Sequence, residues 1–232
     1  MDRKKYVIFA SGGSGTRMGA PVPKQFLLLN GIPVLQRSIE AFLEACPDIS
    51  VITVLPAGMR ERWRSLCNEH ALDCRQQLVT GGLTRFHSVQ RALEKVPDGA
   101  VVAIHDGVRP LVSKAFLQEM FARMQDCRAL IPVCPVTDTL KCLQPDKEGV
   151  LHEVGDAPDR SLLYGAQTPQ MFRSEELRAA YSRAYELSFT DDASVARAYG
   201  ISLSYIAGER NNIKITTPYD LELAAAILSL RG

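Results

Sequence analysis

A glycine-rich segment near the start of the sequence has residue types suited to binding an anion. It reads Ser-Gly-Gly-Ser-Gly-Thr-Arg-Met-Gly over residues 11–19 and directly follows the strand-like run Lys5–Ala10. Glycines let backbone N–H groups approach an anion closely, which is a common way to hold phosphate groups. Arg17 lies within the segment and Lys24 follows it. Two cations beside exposed N–H groups predict a site for a polyanion.

The segment differs from two familiar phosphate-binding motifs. The Walker A motif requires Lys after its last glycine, but Ala20 follows Gly19. The dinucleotide motif, G-x-G-x-x-G, has Met18 at its third glycine position here. Pro21 and Pro23 would also interrupt a helix, whereas both motifs open directly into one. A nicotinamide-dependent oxidoreductase is therefore disfavoured.

A second candidate group follows another strand-like run. Asp106 comes just past the apolar residues 100–104, where it is placed to hold a hydrated Mg²⁺ or a ribose hydroxyl. A loop-capping Asp is the structural alternative. Lys214 precedes the last helical pattern and could return to the same sheet edge, although it is a weak signal alone. Ligands of open α/β sheets bind at the carboxyl ends of the strands.

The elements that must position these residues alternate along the chain. Short Val/Ile-rich runs, apolar nearly throughout, are typical of parallel strands covered on both faces. Helical patterns with an apolar face lie between them. The strand candidates are Lys5–Ala10 and residues 49–55, 100–104, 130–133 and 202–206, and the helical patterns lie around residues 35–43, 116–124 and 221–228. This order predicts a single α/β domain over residues 1–232, with a doubly wound, mostly parallel, Rossmann-like sheet.

One stretch, from about residue 135 to 170, breaks this alternation. Residues 137–143 and 149–154 flank a polar turn, which predicts a β-hairpin that protrudes as an arm. Such an arm exposes strand edges unless something covers them. We expect a partner subunit to cover it.

Charge and composition exclude several classes of protein. The 232 residues carry 27 Lys and Arg against 26 Asp and Glu, so there is no basic footprint for nucleic acid. The longest apolar runs fall far short of the ~20 residues of a membrane-spanning helix, and we expect a cytoplasmic protein. The six cysteines form no C-x-x-C pair and the four histidines no H-E-x-x-H, so we expect reduced packing thiols and no structural zinc.

Eight short motifs occur in order over nearly the whole chain. They are residues 11–18, Pro23-Lys24-Gln25, Gly81-Gly82 with Arg85 and Ser88, residues 105–110, Asp138-Thr139-Leu140-Lys141, Thr168-Pro169-Gln170, residues 190–194 and residues 212–216. Together they resemble one family, the 2-C-methyl-D-erythritol 4-phosphate cytidylyltransferases of non-mevalonate isoprenoid synthesis. The resemblance implies a homodimer of nucleotidyltransferase domains with swapped β-arms. It also implies a Mg²⁺-dependent reaction of CTP with methylerythritol phosphate that gives the CDP-alcohol and pyrophosphate.

The resemblance also implies a role for each matching residue. Arg17 and Lys24 would stabilise the transition state on the triphosphate. Asp106 would lie beside the metal and both substrates. The nucleotide would be held by Ser11, Gly12, Gly13, Gly15, Gly82 and Ser88. The methylerythritol phosphate would be positioned by Arg109, Thr139, Arg160, Thr190 and Lys214, of which Thr139 and Arg160 lie on the arm and would serve the neighbouring subunit.

The sequence departs from the family pattern at a few positions. Ser11 stands where alanine is common, Leu83 where some members have an acidic residue, and Asn211 where an acidic residue is usual. The spacer before Arg160 is a few residues longer than usual.

Two further functions remain as alternatives. A related enzyme could use another polyol phosphate such as ribitol 5-phosphate, because that family shares the glycine-rich segment and the Thr-Pro-Gln motif. A non-catalytic nucleotide-binding module would keep the glycines but could lose the cations. Arg17, Lys24 and Asp106 are all present, which disfavours the module.

Overall fold

A central eight-stranded sheet organises the protein, for which a computed structural model describes residues 3–13 and 22–231. The strands in chain order are β1 (Lys5–Ala10), β2 (Leu28–Leu29), β3 (Ile32–Pro33), β4 (Ser50–Leu55), β5 (Gln76–Thr80), β6 (Val101–His105), β7 (Ala129–Pro135), β8 (Leu143–Pro145), β9 (Leu151–Glu153), β10 (Tyr164–Ala166), β11 (Gln170–Arg173) and β12 (Ser204–Ala207). The helices are α1 (Val34–Ala45), α2 (Arg60–Glu69), α3 (Arg85–Leu93), α4 (Lys114–Arg123), α5 (Ser174–Tyr181), α6 (Asp192–Ala198) and α7 (Pro218–Ser229).

Most strands of the sheet run in one direction. The order is β10-β7-β11-β6-β1-β4-β5, with β12 also paired to β7. Among the described strands of this sheet, β10 and β11 are the two that run antiparallel to their neighbours, and both lie against β7. The mostly parallel, doubly wound α/β sheet predicted from the sequence is confirmed.

Helices cover both faces of the sheet because side chains alternate along each strand. In β1, Val7 and Phe9 pack into the layer with α1, α2 and α4, whereas Ile8 packs into the layer with α3, α5 and α6. All three side chains are fully buried. The last helix, α7, packs in a smaller cluster that includes Val108 and Ile215. The central strands are therefore buried between two layers of helices.

The strand order reverses at β1. From β1 the chain adds β4 and β5 on one side, and it then returns to place β6 on the other side of β1. Loops that leave β1 and β6 at their carboxyl ends diverge there and open a crevice, which is the usual ligand position in such sheets. Residues 11–13, the described start of the glycine-rich segment, follow β1, and Asp106 follows β6. These two predicted groups thus meet at one switch point.

A small hairpin of β8 and β9 stands apart from the sheet, as the sequence predicts. The predicted first strand is wrong over most of its length, because residues 137–142 form no strand and pairing begins at Leu143. The return segment rejoins the central sheet as β10. Residues 137–162 are almost all exposed. Across residues 3–13 and 22–231, no helix combines the length and apolarity needed to cross a membrane.

Candidate nucleotide site

A polar cleft of about 410 Å³ lies at the switch point of the sheet. Its walls come from the segment after β1, the β5–α3 loop, the loop after β6 and the segment before α7. The lining residues are Ala10, Ser11, Gly12, Gly13, Lys24, Gln25, Gly82, Leu83, Thr84, Arg85, Ser88, Asp106, Val108 and Lys214. Four segments distant in sequence therefore converge on one space.

Gln25 fixes the start of the glycine-rich segment. Its side-chain Nε2 donates to the carbonyl oxygens of Ser11 at 2.8 Å and of Gly13 at 3.2 Å, and the residue is buried. The backbone N–H groups of Gly12 and Gly13 donate no hydrogen bond to any residue that the structure describes. The carbonyl oxygens are thus engaged by Gln25, whereas the N–H groups remain available to donate to an anion, which is the arrangement that an anion site needs.

The floor beside this segment leaves no room for a side chain at Gly107. A Cβ atom there would overlap the Ser11 Oγ atom and lie 2.7 Å from Leu35 Cδ1. The Ser11 hydroxyl is buried and makes no hydrogen bond within the described residues. The loop after β1 and the loop after β6 are therefore in close contact.

The β5–α3 loop forms the opposite wall. Ser88 Oγ accepts a hydrogen bond from Gly82 N at 3.0 Å and donates one to the Thr84 carbonyl at 2.9 Å. A Cβ atom at Gly82 would lie 2.5 Å from His87 Cβ, so only glycine fits against the first turn of α3. The two hydrogen bonds of Ser88 thus fix the conformation of this loop, in which Gly82 lines the cleft.

Three cations surround Asp106. Its Oδ2 atom lies 2.8 Å from Lys214 Nζ and 3.6 Å from Arg109 Nε. Its Oδ1 atom lies 3.7 Å from Arg85 Nε. Lys24 adds a further cation to the cleft wall. Cations outnumber carboxylates here, so the cleft attracts anions.

Two opposing effects act on the pKa of Asp106. Burial alone would raise the carboxyl pKa, because it removes water from the charged form. The charges of Arg85 and Lys214 outweigh burial and hold the pKa of Asp106 well below its usual range. The group is therefore a carboxylate at neutral pH.

A hydrogen-bonded pair behind the cleft fixes the backbone at Asp106. Thr168 Oγ1 accepts from Asp106 N at 3.0 Å and lies 3.1 Å from His105 Nδ1, and His105 Nε2 lies 3.0 Å from the Arg109 carbonyl. A neutral imidazole with its proton on Nε2 satisfies all of these contacts. Burial lowers the pKa of His105 to about 4, which favours that neutral form.

Comparison with known proteins identifies the family. The family model described as 2-C-methyl-D-erythritol 4-phosphate cytidylyltransferase matches residues 5–230. A protein of that name from Bacteroides fragilis is 42% identical over 221 residues, which cover 95% of this chain and 98% of that protein. One from Porphyromonas gingivalis is 42% identical over 231 residues, which cover 99% of this chain and 100% of that protein. The chain belongs to this family.

The fold agrees with a solved structure from the same family. The crystal structure of 2-C-methyl-D-erythritol 4-phosphate cytidylyltransferase from Thermus thermophilus superimposes with a TM-score of 0.73 at 30% identity. The match covers 97% of this chain and 98% of that one. The resemblance drawn from ordered motifs is thereby confirmed at the level of family and fold.

The structure brings together many of the residues to which the family resemblance assigns roles. Those that line the cleft are Ser11, Gly12, Gly13, Lys24, Gly82, Ser88, Asp106 and Lys214. Arg109 lies behind Asp106, with its Nη1 atom donating to the Asn212 carbonyl at 2.7 Å. Gly15 and Arg17 lie outside the described residues. The cleft therefore contains most of the predicted nucleotide-binding group.

The remaining expected residues do not line the cleft. Thr139 and Arg160 are exposed on the arm, where Arg160 Nη1 donates to the Thr137 carbonyl at 2.8 Å. Thr190 is exposed two residues before α6. Their roles toward a substrate stay predictions.

Several site residues had a sequence signal but no assigned role. Gln25, Arg85 and Thr168 each belong to a motif that carries the family resemblance, yet spacing alone says nothing about which group each contacts. Asp192 is the second Asp of residues 190–194, and the first one, Asp191, caps α6 through its side chain. A capping box signals the helix start, but it does not reveal the ion pair made by the next residue.

Acid should destabilise the folded protein through His105. As the pH falls from about 6.5 to about 4, the unfolded chain takes up a proton on this imidazole and the folded chain does not. We expect this group to lower the free energy of unfolding by up to about 3 kcal/mol over that window. Urea titrations at several pH values measure the loss.

The assignment to one histidine has its own controls. The variant His105→Gln should show a flatter pH dependence. His70→Gln is the control and should keep the slope of the unsubstituted protein, because the His70 side chain makes no hydrogen bond or ion pair within the described residues. An NMR titration of the His105 ring with a midpoint near 6.5 would contradict the prediction.

Proposed function

We propose that this cleft joins CTP and 2-C-methyl-D-erythritol 4-phosphate, in the cytoplasm, to give 4-diphosphocytidyl-2-C-methyl-D-erythritol and pyrophosphate. The observation that carries the proposal is the arrangement at the switch point in a chain of this family. Gly12 and Gly13, whose N–H groups donate to no described residue, line the same cleft as a cluster of cations gathered on one buried carboxylate. That arrangement suits a triphosphate next to a second phosphate.

The proposed chemistry depends on charge neutralisation. A phosphate oxygen of the alcohol phosphate attacks the α-phosphorus of CTP, the new P–O bond forms, and the bond to the pyrophosphate breaks with its electron pair. Both reactants are anions, so repulsion forms a large part of the barrier. A phosphate dianion needs no deprotonation, and the cleft accordingly relies on Lys24, Arg85 and Lys214 and needs no general base.

We assign the predicted catalytic role to Lys24 and Arg17. Lys24 lines the same cleft as Gly12 and Gly13, so it would lie beside a triphosphate held by the glycine N–H groups. Arg17 lies in the same segment of the sequence. Their cationic groups would neutralise the charge that develops on the leaving pyrophosphate.

A divalent cation fits the residues that are present. Asp106 is the carboxylate of the cleft, and Mg²⁺ is commonly held by one or two carboxylates together with substrate phosphates. Among the described residues no cluster of three His, Cys, Asp or Glu could hold a metal by itself. We therefore propose that Asp106 holds Mg²⁺ jointly with the nucleotide. The ion would neutralise phosphate charge and polarise the α-phosphorus.

The second substrate would lie beside Lys214. This lysine lines the cleft and contacts Asp106, so it is placed between the two anions. Arg109 would support that geometry from behind Asp106. Thr190, and the Thr139 and Arg160 side chains of a neighbouring arm, would complete the pocket for the alcohol phosphate.

A turnover panel tests the substrate. Pyrophosphate release should be fast with CTP and methylerythritol phosphate, and at least about 100-fold slower with ribitol 5-phosphate, because positioning of the attacking oxygen contributes large factors to such reactions. Continuous detection of pyrophosphate measures both rates. Preference for ribitol 5-phosphate would favour the related polyol-phosphate enzyme, and CTP binding without pyrophosphate would favour the non-catalytic module.

Removal of either proposed catalytic cation should slow the reaction. We expect Lys24→Ala and Arg17→Ala each to lower kcat by at least about 100-fold, as loss of a single transition-state donor does in other enzymes. Lys4→Ala, an exposed lysine before β1, is the control and should keep full turnover. Normal kcat in both cleft variants would refute the assigned roles.

We also propose that two copies of the chain associate through the arm. Apolar side chains remain exposed on and beside it, including Leu143, Val150, Leu151, Leu162 and Tyr164. A mainly apolar groove of about 770 Å³ runs between β7, β12 and residues 162–164. Exposed apolar surface on this scale marks an interaction site, and a hairpin needs further packing to be stable. A second copy of the arm would cover the exposed apolar side chains and give the hairpin the packing that it needs.

The association predicts a concentration-dependent mass. Sedimentation should give a dimer for the unsubstituted protein and a shift toward monomer for Leu151→Asp, because a buried unpaired carboxylate is costly. Leu187→Asp places the same charge on a leucine that is 89% exposed and lies outside residues 135–170, and it should leave the dimer unchanged. A monomer at all concentrations for the unsubstituted protein would contradict the proposal.

A further inference from the structure

Arg85 occupies a position between the cleft and a buried carboxylate outside it. It is the first residue of α3 and lines the cleft. Its Nη2 atom lies 2.5 Å from Asp192 Oδ2, and its Nε atom lies 3.7 Å from Asp106 Oδ1. Its Nη1 group makes no hydrogen bond within the described residues. The Nη2 group of the guanidinium is thus held by Asp192, and its Nη1 group remains available to a ligand.

Asp192 has no access to solvent and makes two strong contacts. Besides Arg85, it accepts a hydrogen bond from the Tyr181 hydroxyl at 2.5 Å. Two donors, one of them charged, satisfy the buried carboxylate and restrict its orientation. Gln170 holds the surrounding turn, because its side chain accepts from Ala193 N at 2.8 Å and donates to Asp191 Oδ2 at 2.7 Å.

Aromatic packing fixes the tyrosine that completes this chain of contacts. The Tyr181 ring stacks on Phe86 with ring centres 4.6 Å apart, and Phe86 also stacks on Phe189 at 5.7 Å. Phe86 is the neighbour of Arg85 in α3. The stack therefore locks the last turn of α5 against the first turn of α3. Burial among these groups raises the pKa of Tyr181, so its hydroxyl stays protonated as a donor.

We propose that Tyr181 and Asp192 are positioning residues that act through Arg85, by aiming its Nη1 group at a phosphate of the bound nucleotide. This rests on the proposed function only in taking the nucleotide triphosphate as the ligand of the cleft. Asp192 restrains the guanidinium from one side, and Asp106 limits its approach from the other. The Nη1 group is then left for a phosphate in the cleft that Arg85 lines together with Gly12 and Gly13.

A purely structural ion pair predicts a different result. If Arg85 and Asp192 only joined α3 to α6, their disruption would lower stability and the fraction of active protein, while the affinity of the folded fraction for each ligand stayed the same. A positioning role instead changes the dissociation constant, and it does so only for ligands that carry phosphate.

The test compares a phosphorylated and a neutral ligand of one base. Tyr181→Phe removes the hydroxyl and keeps the ring, so the aromatic stack stays in place. Calorimetry with CTP should give a dissociation constant raised about tenfold, a typical result for one weakened charge-assisted contact. An NMR titration with cytidine should give the same constant within about twofold. Asp192→Asn and Arg85→Lys should also raise the dissociation constant for CTP.

The matched control is Tyr185→Phe. Tyr185 packs on Phe86 with ring centres 5.6 Å apart, but its hydroxyl makes no hydrogen bond within the described residues. This variant should bind CTP like the unsubstituted protein. The proposal is overturned if Tyr181→Phe leaves the affinity for CTP unchanged, or if it weakens the affinity for cytidine by the same factor. It is also overturned if Tyr185→Phe weakens CTP binding as much as Tyr181→Phe does. Failure of turnover in the unsubstituted protein would instead count against the proposed reaction, since CTP binding is measured separately.

Discussion

One buried carboxylate with an excess of cations around it determines how the cleft is built. Asp106 is nearly without solvent, so its charge is tolerable only while Arg85, Arg109 and Lys214 remain close. Those three cations come from three separate parts of the chain. The carboxylate therefore gathers positive charge that would otherwise disperse by mutual repulsion, and it holds that charge at the sheet edge where an anion can enter.

The segment Thr168-Pro169-Gln170 supports both ends of this arrangement. Thr168 binds the backbone of Asp106, and Gln170 binds the turn that carries Asp192. Both side chains lie at or just before β11, one of the two antiparallel strands of the sheet. Because β11 runs antiparallel to β6, its first residue, Gln170, lies beside the carboxyl end of β6, directly behind the cleft. A parallel strand would have placed its last residue there instead.

The sequence predicted those parts of the site whose position follows from strand ends. The segment after β1 and Asp106 after β6 are near neighbours because parallel strands share an edge, and apolar runs reveal such strands. It did not predict α2, where a mostly polar sequence buries only Trp63 and Leu66. It could not predict the contact of Arg85 with Asp192, because two residues separated by over a hundred positions meet only through packing. The predicted strand at residues 137–142 was wrong, because the strand pairing of the hairpin starts only at Leu143 and joins Leu143–Pro145 to Leu151–Glu153.

The close contact between the loops after β1 and β6 limits how these positions can vary together. A methyl group at position 107 and the present hydroxyl at position 11 compete for the same volume. Alanine at 107 would require a smaller residue at 11, or else one of the two loops would have to shift. Natural or engineered variation at either site is therefore conditional on the other, so a substitution harmless in one background would be harmful in another.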